Sequence, residues 1–418
     1  MPLSLGFVWK VLFRASRSPL APRIALSPHS MNTTAAPHPL EDNWVRYSRH
    51  IALAEIGVAG QKKLSAASVL IVGLGGLGTP AACYLAAAGV GTLGLTELDQ
   101  VELSNLQRQI LYREADLGSK KLDCVSQRLR EANSQITIRT HPVGIQVSNA
   151  RQILAEYDLI IDASDNFSTR YLVNDAAFLS GKAVMYGSLA GFDGQISCFA
   201  PHISGPCYRC LFPSMPKTDS IPNCAQTGVL GALCGVVGSL QALEAIKYLV
   251  GIGECLSGRL LAIEALSMRF RSIQVKRDPA CPLCGECPAI TDLQEEHYVS
   301  PCPCDAAGAT DTVPMEVNVD QAKQRLSSAT PPFLLDVREP FEAAICQIPG
   351  STLIPMDKLA EQCVGLPQNG SILVYCHHGL RSLRAVCFLR QKGFLNTSSI
   401  AGGISQWAEC HAPDMRRY

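Results

Sequence analysis

Short apolar runs bounded by polar turns recur along the chain between residues 67 and 164. Their lengths and boundaries predict four strands, in the segments "ASVLIVGL", "GTLGLTEL", "SQITIRTH" and "DLIIDAS". The alanine-rich segment "TPAACYLAAAG", between the first two, predicts a helix. Strands separated by helical segments indicate βαβ units and a parallel sheet.

The alternation continues with two further strand patterns, "AVMYGSL" and "GQISCFA", and one long helical pattern, "GALCGVVGSLQALEAIKYLVG". It breaks down over residues 291–315, whose Pro, Gly, Thr and acidic residues predict a linker. A second alternation follows, with "FLLDVREP", "STLIPM", "SILVYC" and "SSIAGGISQW". We therefore expect an α/β fold with two domains. The first, over residues 41–290, is Rossmann-like with a mixed, largely parallel sheet, and the second, over residues 316–418, is a smaller α/β domain.

Charge and composition argue against nucleic-acid binding and against membrane insertion. Lysine plus arginine number 36, as do aspartate plus glutamate, so we expect no direct nucleic-acid binding, which usually needs a basic excess. No apolar run reaches the roughly 18 residues that span a membrane, so we expect no membrane insertion. The 18 cysteines, several in C-x-x-C pairs, favour a metal site and a reactive thiol in a reducing compartment.

Residues 1–40 contain four basic residues and no acidic one, a composition that resembles a transit peptide. Met31 could also begin the chain, so we favour a disordered leader and a cytoplasmic protein. An organellar protein is the alternative.

A glycine-rich turn follows the first predicted strand. The segment "VLIVGLGGLGTP" places four glycines between a strand and a helix, where the backbone approaches phosphates closely: Gly73, Gly75, Gly76 and Gly78. Glu97 lies 19 residues after Gly78, the spacing expected of a residue that binds a ribose. These features suit an NAD-dependent oxidoreductase as well as an enzyme that uses ATP.

The polar residues that follow separate the two possibilities. "ELDQVELSNLQRQ" puts Asn105 and Arg108 beside the phosphate loop. An arginine there suits nucleotidyl transfer, because charge builds on the α-phosphate in the transition state. "LGSKK" adds Lys121, and "DASDN" puts Asp162 and Asp165 at the carboxyl end of a parallel strand. A carboxylate at that edge can hold a Mg²⁺ ion that bridges ATP phosphates.

Seven motifs in one order carry a family resemblance: "RYSRH", "GLGGLG", "LSNLQRQ", "GSKK", "DASDN", "GPCYRCLFP" and "NCAQTGVLG". Residues 41–290 resemble the branch of the ubiquitin-activating-enzyme superfamily that adenylates sulfur-carrier proteins, including molybdopterin-synthase adenylyltransferases and ThiF proteins. The resemblance implies MgATP-dependent adenylation of the C-terminal glycine of a small ubiquitin-like protein that ends in Gly-Gly.

The same resemblance implies roles for single residues. Asn105, Arg108 and Lys121 would surround the α- and β-phosphates, and Asp165 would be linked to Mg²⁺. Arg49 would reach the phosphates of a partner subunit, which implies a homodimer. Glu97 stands where the family more often carries aspartate.

Two C-x-x-C pairs could supply four thiolates to a tetrahedral structural zinc ion. "PCYRC" gives Cys207 and Cys210, and "PACPLCGEC" gives Cys281, Cys284 and Cys287. The family resemblance names Cys207, Cys210, Cys281 and Cys284 as the ligands, and Cys287 competes for the fourth place.

Cys224, in "PNCAQTG", aligns with a cysteine that some relatives use for covalent chemistry or sulfur handling. A catalytic and a structural role stay open for it.

The predicted strand "SILVYC" ends in a single cysteine, Cys376. Cys376 is followed by the loop "HHGLRS" and a helical segment, so it lies where convergent N–H groups and a helix N-terminus favour a thiolate or a persulfide. Arg381 should add positive charge. Cys-based phosphatases place five residues between cysteine and arginine, whereas four lie here.

Residues 316–418 resemble a rhodanese domain through "LLDVREPFE", "IPGSTLIPM", "VYCHHGLRS" and "AGGISQW". The resemblance implies that Cys376 accepts sulfane sulfur from a cysteine desulfurase or thiosulfate, while Asp336 and Arg338 brace the fold. The expected function combines the two domains. The first adenylates a carrier, and sulfur transfer from a Cys376 persulfide then forms a thiocarboxylate. A non-catalytic binder of a ubiquitin-like partner is the alternative.

Overall fold

The computed structural model describes residues 44–216, 228–298, 313–368 and 370–416. The predicted leader, Cys224 and most of the predicted linker lie outside the described residues. Within them the first domain has eight strands: β1 Ser68–Val72, β2 Thr92–Thr96, β3 Thr137–His141, β4 Leu159–Asp162, β5 Ala183–Ala190, β6 Asp193–Phe199, β7 Arg259–Glu264 and β8 Arg269–Gln274. The second domain has five: β9 Glu316–Val317, β10 Phe333–Asp336, β11 Thr352–Leu353, β12 Ile372–Tyr375 and β13 Thr397–Ile400.

The described helices of the first domain are α1 Trp44–Ile51, α2 Gly57–Ala66, α3 Gly78–Ala88, α4 Lys121–Ala132, α5 Ala150–Ala155, α6 Phe167–Leu179, α7 Tyr208–Leu211 and α8 Gly231–Val250. Those of the second are α9 Val319–Leu326, α10 Pro340–Ile345, α11 Leu359–Gln362, α12 Leu380–Gln391 and α13 Gly403–His411. Short 3-10 helices span Leu103–Asn105, Glu114–Asp116, Pro201–Ile203, Glu295–His297 and Cys363–Gly365.

The first sheet confirms the expected mixed, largely parallel architecture. Its strand order is β3-β2-β1-β4-β5-β6-β7-β8. The pairs among the first five strands are parallel, and the remaining three pairs are antiparallel. The chain leaves β1 toward β2 and later returns to β4 on the other side of β1. A crevice forms at the carboxyl ends of β1 and β4, where such sheets bind ligands.

Helix α8 lies in the core of the first domain. Among the described residues it is the one helix whose length and composition would let it cross a membrane, and half of it is buried inside the protein. Gln241, in its middle, is fully buried and donates hydrogen bonds to the carbonyl oxygens of Asp162 (2.7 Å) and Met185 (2.9 Å). These bonds tie the helix to β4 and β5.

The second sheet is parallel throughout, with strand order β11-β10-β12-β13-β9. Its apolar faces form two clusters, one around Leu335, Val374 and Leu389, the other around Leu373 and Ile404. Because parallel strands end at one edge, the loop after β12 lies beside the loop after β10.

The first residues of the predicted linker pack on the first domain. Tyr298 is buried, its hydroxyl donates to Asp175 Oδ2 (3.0 Å), and its carbonyl accepts from Ser168 Oγ (2.6 Å). The domain boundaries themselves stay predictions.

Candidate active sites and metal centre

The loop after β1 is closed by two glycines that no other residue can replace without movement. Gly73 has φ +91°, and a Cβ there would lie 2.7 Å from the carbonyl oxygen of Ala163. A Cβ on Gly78 would collide with the carbonyl oxygen of Gly73. The tight turn therefore delivers the chain into the N-terminus of α3, whose dipole favours an anion nearby. The amides of Thr79 and Ala81 donate to the carbonyls of Gly75 (3.1 Å) and Leu77 (3.3 Å), and Pro80 has no N–H.

The other two glycines face the neighbouring "SNLQRQ" segment. The Cβ position of Gly76 lies 3.5 Å from Arg108 Cγ, so the structure brings Arg108 to the glycine loop. Among the described residues, chain neighbours aside, the one heavy atom within 4 Å of the Cβ position of Gly75 is Gln109 Nε2, at 3.7 Å. Gly75 therefore borders open space, as a surface that receives phosphates must.

Glu97 lies one residue after β2, at the predicted place. Its Oε2 accepts from the Leu74 amide (2.9 Å), and its Oε1 accepts from the amides of Leu98 (2.8 Å) and Asp99 (3.1 Å). These bonds fix the carboxylate beside the glycine loop, and Oε2, which accepts one of them, keeps acceptor capacity for a hydroxyl group.

Asn105 and Lys121 are both buried, on segments that follow β2. Asn105 Oδ1 accepts from the Glu102 amide (3.2 Å). Lys121 is 4% exposed, and its Nζ lies 3.0 Å from Asp99 Oδ2, whereas Lys120 is exposed. Burial thus distinguishes the two adjacent lysines, and the role expected of Lys121 stays a prediction.

The two aspartates of "DASDN" have different surroundings. Asp162 is buried and accepts from Ser164 N (3.0 Å) and Ser164 Oγ (2.5 Å), and Arg170 Nε lies 3.5 Å from its Oδ2. Burial raises the pKa of Asp162, opposed by the Arg170 charge. Asp165 is exposed at the sheet edge. Asp162 therefore shapes the loop, and Asp165 is the carboxylate that a ligand can reach.

Arg49 lies on α1, whose neighbouring residues hold it to the domain. Tyr47 is buried and its hydroxyl accepts from Asn133 Nδ2 (2.9 Å), while His50 Nδ1 contacts Gln61 Oε1 (3.2 Å). Arg49 itself is exposed, and no hydrogen bond or ion pair among the described residues joins it to the glycine loop. The structure thus brings Arg108 to that loop but not Arg49.

Four cysteine sulfurs converge in the first domain. The Sγ atoms of Cys207, Cys210, Cys281 and Cys284 all lie within 4.8 Å of one another. Three of these pairs are 3.9, 3.5 and 3.3 Å apart. A tetrahedral zinc ion with Zn–S bonds of about 2.3 Å would place its sulfurs about 3.8 Å apart. The donors and spacing fit a metal ion, and Cys287 is exposed and outside the cluster.

Backbone groups and an ion pair orient this cluster. The Asp278 amide lies 3.4 Å from Cys210 Sγ, and hydrogen bonding with the Cys207 thiol and its neighbours lowers the pKa of Cys281 below its usual range. Arg209, between two of the cysteines, makes a bidentate pair with the fully buried Asp175 (2.8 and 2.7 Å). Sequence reasoning missed this pair, because 34 residues separate its members.

Cys376 directly follows β12 and is 1% exposed. The Gly379 amide donates to its Sγ (3.1 Å), and Ser382 Oγ lies 3.5 Å away. Gly379 has φ +99°, which turns the chain into α12. The start of α13 holds this loop, because the amides of Ile404 and Ser405 donate to the carbonyls of Cys376 (2.8 Å) and His377 (3.0 Å). Among the described residues, the structure thus shows one backbone N–H and one hydroxyl at the sulfur, which is part of the expected N–H cradle.

The expected contribution of Arg381 to that cradle needs correction. Its guanidinium makes a bidentate ion pair with the buried Glu342, with both N···O distances 2.6 Å. The carboxylate compensates the positive charge that Cys376 was expected to feel. Glu342 lies 39 residues earlier in the chain, so sequence spacing gave no sign of the pair.

The adjacent histidines stack on each other, with ring centroids 4.0 Å apart. Burial lowers the pKa of His377 to about 4, with a further contribution from the neighbouring His378. His377 is therefore neutral at neutral pH, and with Arg381 paired the loop presents little positive charge.

Comparison with known proteins decides the family. The ThiF family profile matches residues 47–283, and the rhodanese-like domain profile matches residues 318–410. The chain belongs to the ThiF family. A probable adenylyltransferase/sulfurtransferase, MoeZ, from Mycobacterium tuberculosis is 42% identical to this ThiF-family chain, covering 89% of it and 95% of the relative. An adenylyltransferase and sulfurtransferase, MOCS3, from Sus scrofa is 40% identical, covering 94% of the chain and 88% of the relative.

Solved structures support the fold of the ThiF domain. E. coli MccB, crystallised with MccA-N7isoASN, superposes with a TM-score of 0.52 at 23% identity, over 58% of this chain and 75% of that one. The family and the two domains make this ThiF-family chain an enzyme, an adenylyltransferase and a sulfurtransferase, whose adenylating half uses ATP. Neither a scaffold nor an oxidoreductase is favoured.

Proposed function

We propose that the ThiF domain adenylates the C-terminal glycine of a small ubiquitin-like sulfur carrier ending in Gly-Gly, and that the rhodanese-like domain then supplies sulfur. One observation carries the proposal: the glycine loop, Arg108 and Glu97 meet at the carboxyl edge of the sheet. This arrangement can bind a nucleotide and place a cation beside its phosphates.

In the first step, a carboxylate oxygen of the carrier attacks the α-phosphorus of ATP, and pyrophosphate leaves. Arg108 and Lys121 stabilise the negative charge that builds on the phosphates, and Asn105 donates a hydrogen bond. Asp165 would hold Mg²⁺, which would neutralise phosphate charge. Arg49 would complete the site of a second subunit in a homodimer.

The four-cysteine cluster would hold a structural zinc ion through Cys207, Cys210, Cys281 and Cys284. All four positions are taken by thiolates, which leaves no open position for catalysis. The ion would join α7 to the segment after β8, and so stabilise the ThiF domain. Zinc thiolates and a persulfide both need a reducing compartment, which supports a cytoplasmic protein.

In the second step, Cys376 takes a sulfane sulfur from a cysteine desulfurase persulfide or thiosulfate. The terminal sulfur of the Cys376 persulfide attacks the acyl-adenylate carbonyl, and AMP leaves, which gives an acyl disulfide. A thiolate must then attack Cys376 Sγ, so that the thiocarboxylate leaves and a disulfide forms. Cys224 is the candidate for that thiol, and it lies outside the described residues. A cellular thiol would then reduce the disulfide.

The first half-reaction is tested by ATP–pyrophosphate exchange with a candidate Gly-Gly-ended carrier. Arg108→Ala should abolish exchange because it removes the cation at Gly76. The control is Arg151→Ala, which changes an exposed arginine whose pair with Asp292 spans 3.7 Å. Equal exchange in Arg108→Ala and the wild type would refute the assigned site.

The second half-reaction is tested by mass spectrometry of the carrier. Cys376→Ser should stop sulfur incorporation while exchange continues, and Cys410→Ser, at an exposed cysteine of the same domain, should change neither. Sulfur incorporation by Cys376→Ser would refute the role of Cys376.

A further inference from the structure

A buried glutamine, Gln109, lies beside the glycine loop and has no role in the steps proposed above. Gln109 is 4% exposed. Its backbone groups are paired, since its amide donates to the Asn105 carbonyl (3.0 Å) and its carbonyl accepts from the Tyr112 amide (3.1 Å). Its side-chain Oε1 is buried and has no hydrogen-bond partner among the described residues. A buried polar atom without a partner destabilises the fold, so it calls for an explanation.

The position of the amide nitrogen of this side chain, Nε2, supplies an explanation. Nε2 lies 3.7 Å from the Cβ position of Gly75, and no other heavy atom of the part of the chain that the structure describes, chain neighbours aside, lies within 4 Å of that point. The next glycine, Gly76, contacts the side chain of Arg108. Gln109 and Arg108 are adjacent in sequence, so two successive side chains line two successive glycines. Gln109 Nε2 is an N–H donor, the kind that an anion accepts from, whereas Arg108 meets Gly76 through its Cγ and its Nη1 donates to the Ser104 carbonyl (3.0 Å).

A leucine of similar size would fill the same space without an unpaired oxygen. The fold tolerates the unpaired Oε1 because the same amide holds a donor at the open side of Gly75. Helix α3 begins three residues later, so the positive end of its dipole lies next to this turn.

We propose that Gln109 is a nucleotide-binding residue, whose Nε2 donates a hydrogen bond to a phosphate oxygen of ATP beside Gly75. This inference rests on the proposed adenylation at the glycine loop and adds a ligand contact to it. Bonds from an amide to a charged phosphate oxygen are stronger than bonds between neutral groups. Loss of this bond should weaken ATP binding about 10-fold or more.

The test compares Gln109→Leu with the wild type in the full-length protein. Calorimetric titration with a non-hydrolysable ATP analogue and Mg²⁺ gives the affinity, and thermal unfolding without nucleotide gives the stability. Gln109→Leu should bind the analogue at least about 10-fold more weakly. Its melting temperature should equal or exceed that of the wild type, because the unpaired oxygen is gone. Gln109→Glu, of equal size but negatively charged, should bind more weakly still.

The control is Gln127→Leu, at an exposed glutamine paired with Glu131, which should leave the affinity unchanged. Wild-type affinity in Gln109→Leu would overturn the inference. So would a fall of affinity together with a lower melting temperature in Gln109→Leu, because that result indicates a structural role. If the wild type binds the analogue but no carrier supports pyrophosphate exchange, the proposed function fails, while the affinities still decide the role of Gln109. A wild type that binds no nucleotide would overturn both.

Discussion

The ion pair between Asp336 and Arg338 gives a sharp prediction about the rhodanese-like domain. Both side chains are fully buried, and the guanidinium contacts both carboxylate oxygens, at 2.9 and 2.6 Å. Replacing Arg338 with Met would leave a buried carboxylate without its counter-charge, which costs about 3–5 kcal/mol. The Tyr375 hydroxyl (2.9 Å) and the backbone amide of residue 338 (3.1 Å) still donate to Asp336, so we expect about 3 kcal/mol.

The cost should appear as a shift in urea unfolding. With a urea dependence of about 1–3 kcal/mol per molar, a loss of about 3 kcal/mol lowers the midpoint by about 1–3 M. The midpoint is read from sulfur transfer between thiosulfate and cyanide after equilibration in urea. Pyrophosphate exchange in the same samples reports on the ThiF domain and should not move.

Two results would refute this reasoning. One is an unchanged midpoint in Arg338→Met, and the other is lost sulfur transfer without urea in a variant that circular dichroism shows to be folded, because that would give the arginine a chemical role. The double variant Asp336→Leu/Arg338→Met removes both charges, so it should recover most of the loss, since replacing a whole buried pair is nearly neutral.

Three further predictions concern the glycine loop, the metal centre and the loop histidine. Gly75→Ala should fold normally but bind ATP analogues more weakly in titration, because its Cβ enters the open space that would receive phosphates. Gly78→Ala should lower the melting temperature, because its Cβ meets the Gly73 carbonyl. Cys281→Ser should reduce the zinc content measured by mass spectrometry and lower the melting temperature, and equal zinc would contradict the assigned ligands. His377 takes up a proton at about pH 4 when folded and near 6.5 when unfolded, so the rhodanese-like domain should lose stability as the pH falls through this window. His377→Gln should flatten that loss in urea unfolding at several pH values.

The sequence predicted the parallel strands well because each is a short apolar run between turns. It did not predict β7 or β8, and the six residues of β8 are all exposed, so this strand has no buried face for an apolar pattern to mark. The long helix α8 was predicted, but its buried Gln241 and the bonds to β4 and β5 could be seen only in the fold.

The candidate sites were predicted where motif residues are close in sequence. The glycines, Arg108 and Glu97 follow two adjacent strands, so topology brings them together. Pairs of distant residues were not predicted, including Glu342 with Arg381. Lys121 was chosen over Lys120 from the family resemblance, and the different burial of the two lysines could be seen only in the fold.

The central claim is that one chain activates a carrier and then delivers sulfur to it. Intact mass spectrometry of a Gly-Gly-ended carrier, incubated with this protein, MgATP, thiosulfate and a reducing thiol, tests both steps together. We predict a mass gain equal to the replacement of one terminal oxygen by sulfur, dependent on ATP and lost in Cys376→Ser. A carrier that becomes adenylated but gains no sulfur with either thiosulfate or a desulfurase would contradict the claim for the rhodanese-like domain. If every carrier tried stays unmodified, that result would contradict the claim for both domains.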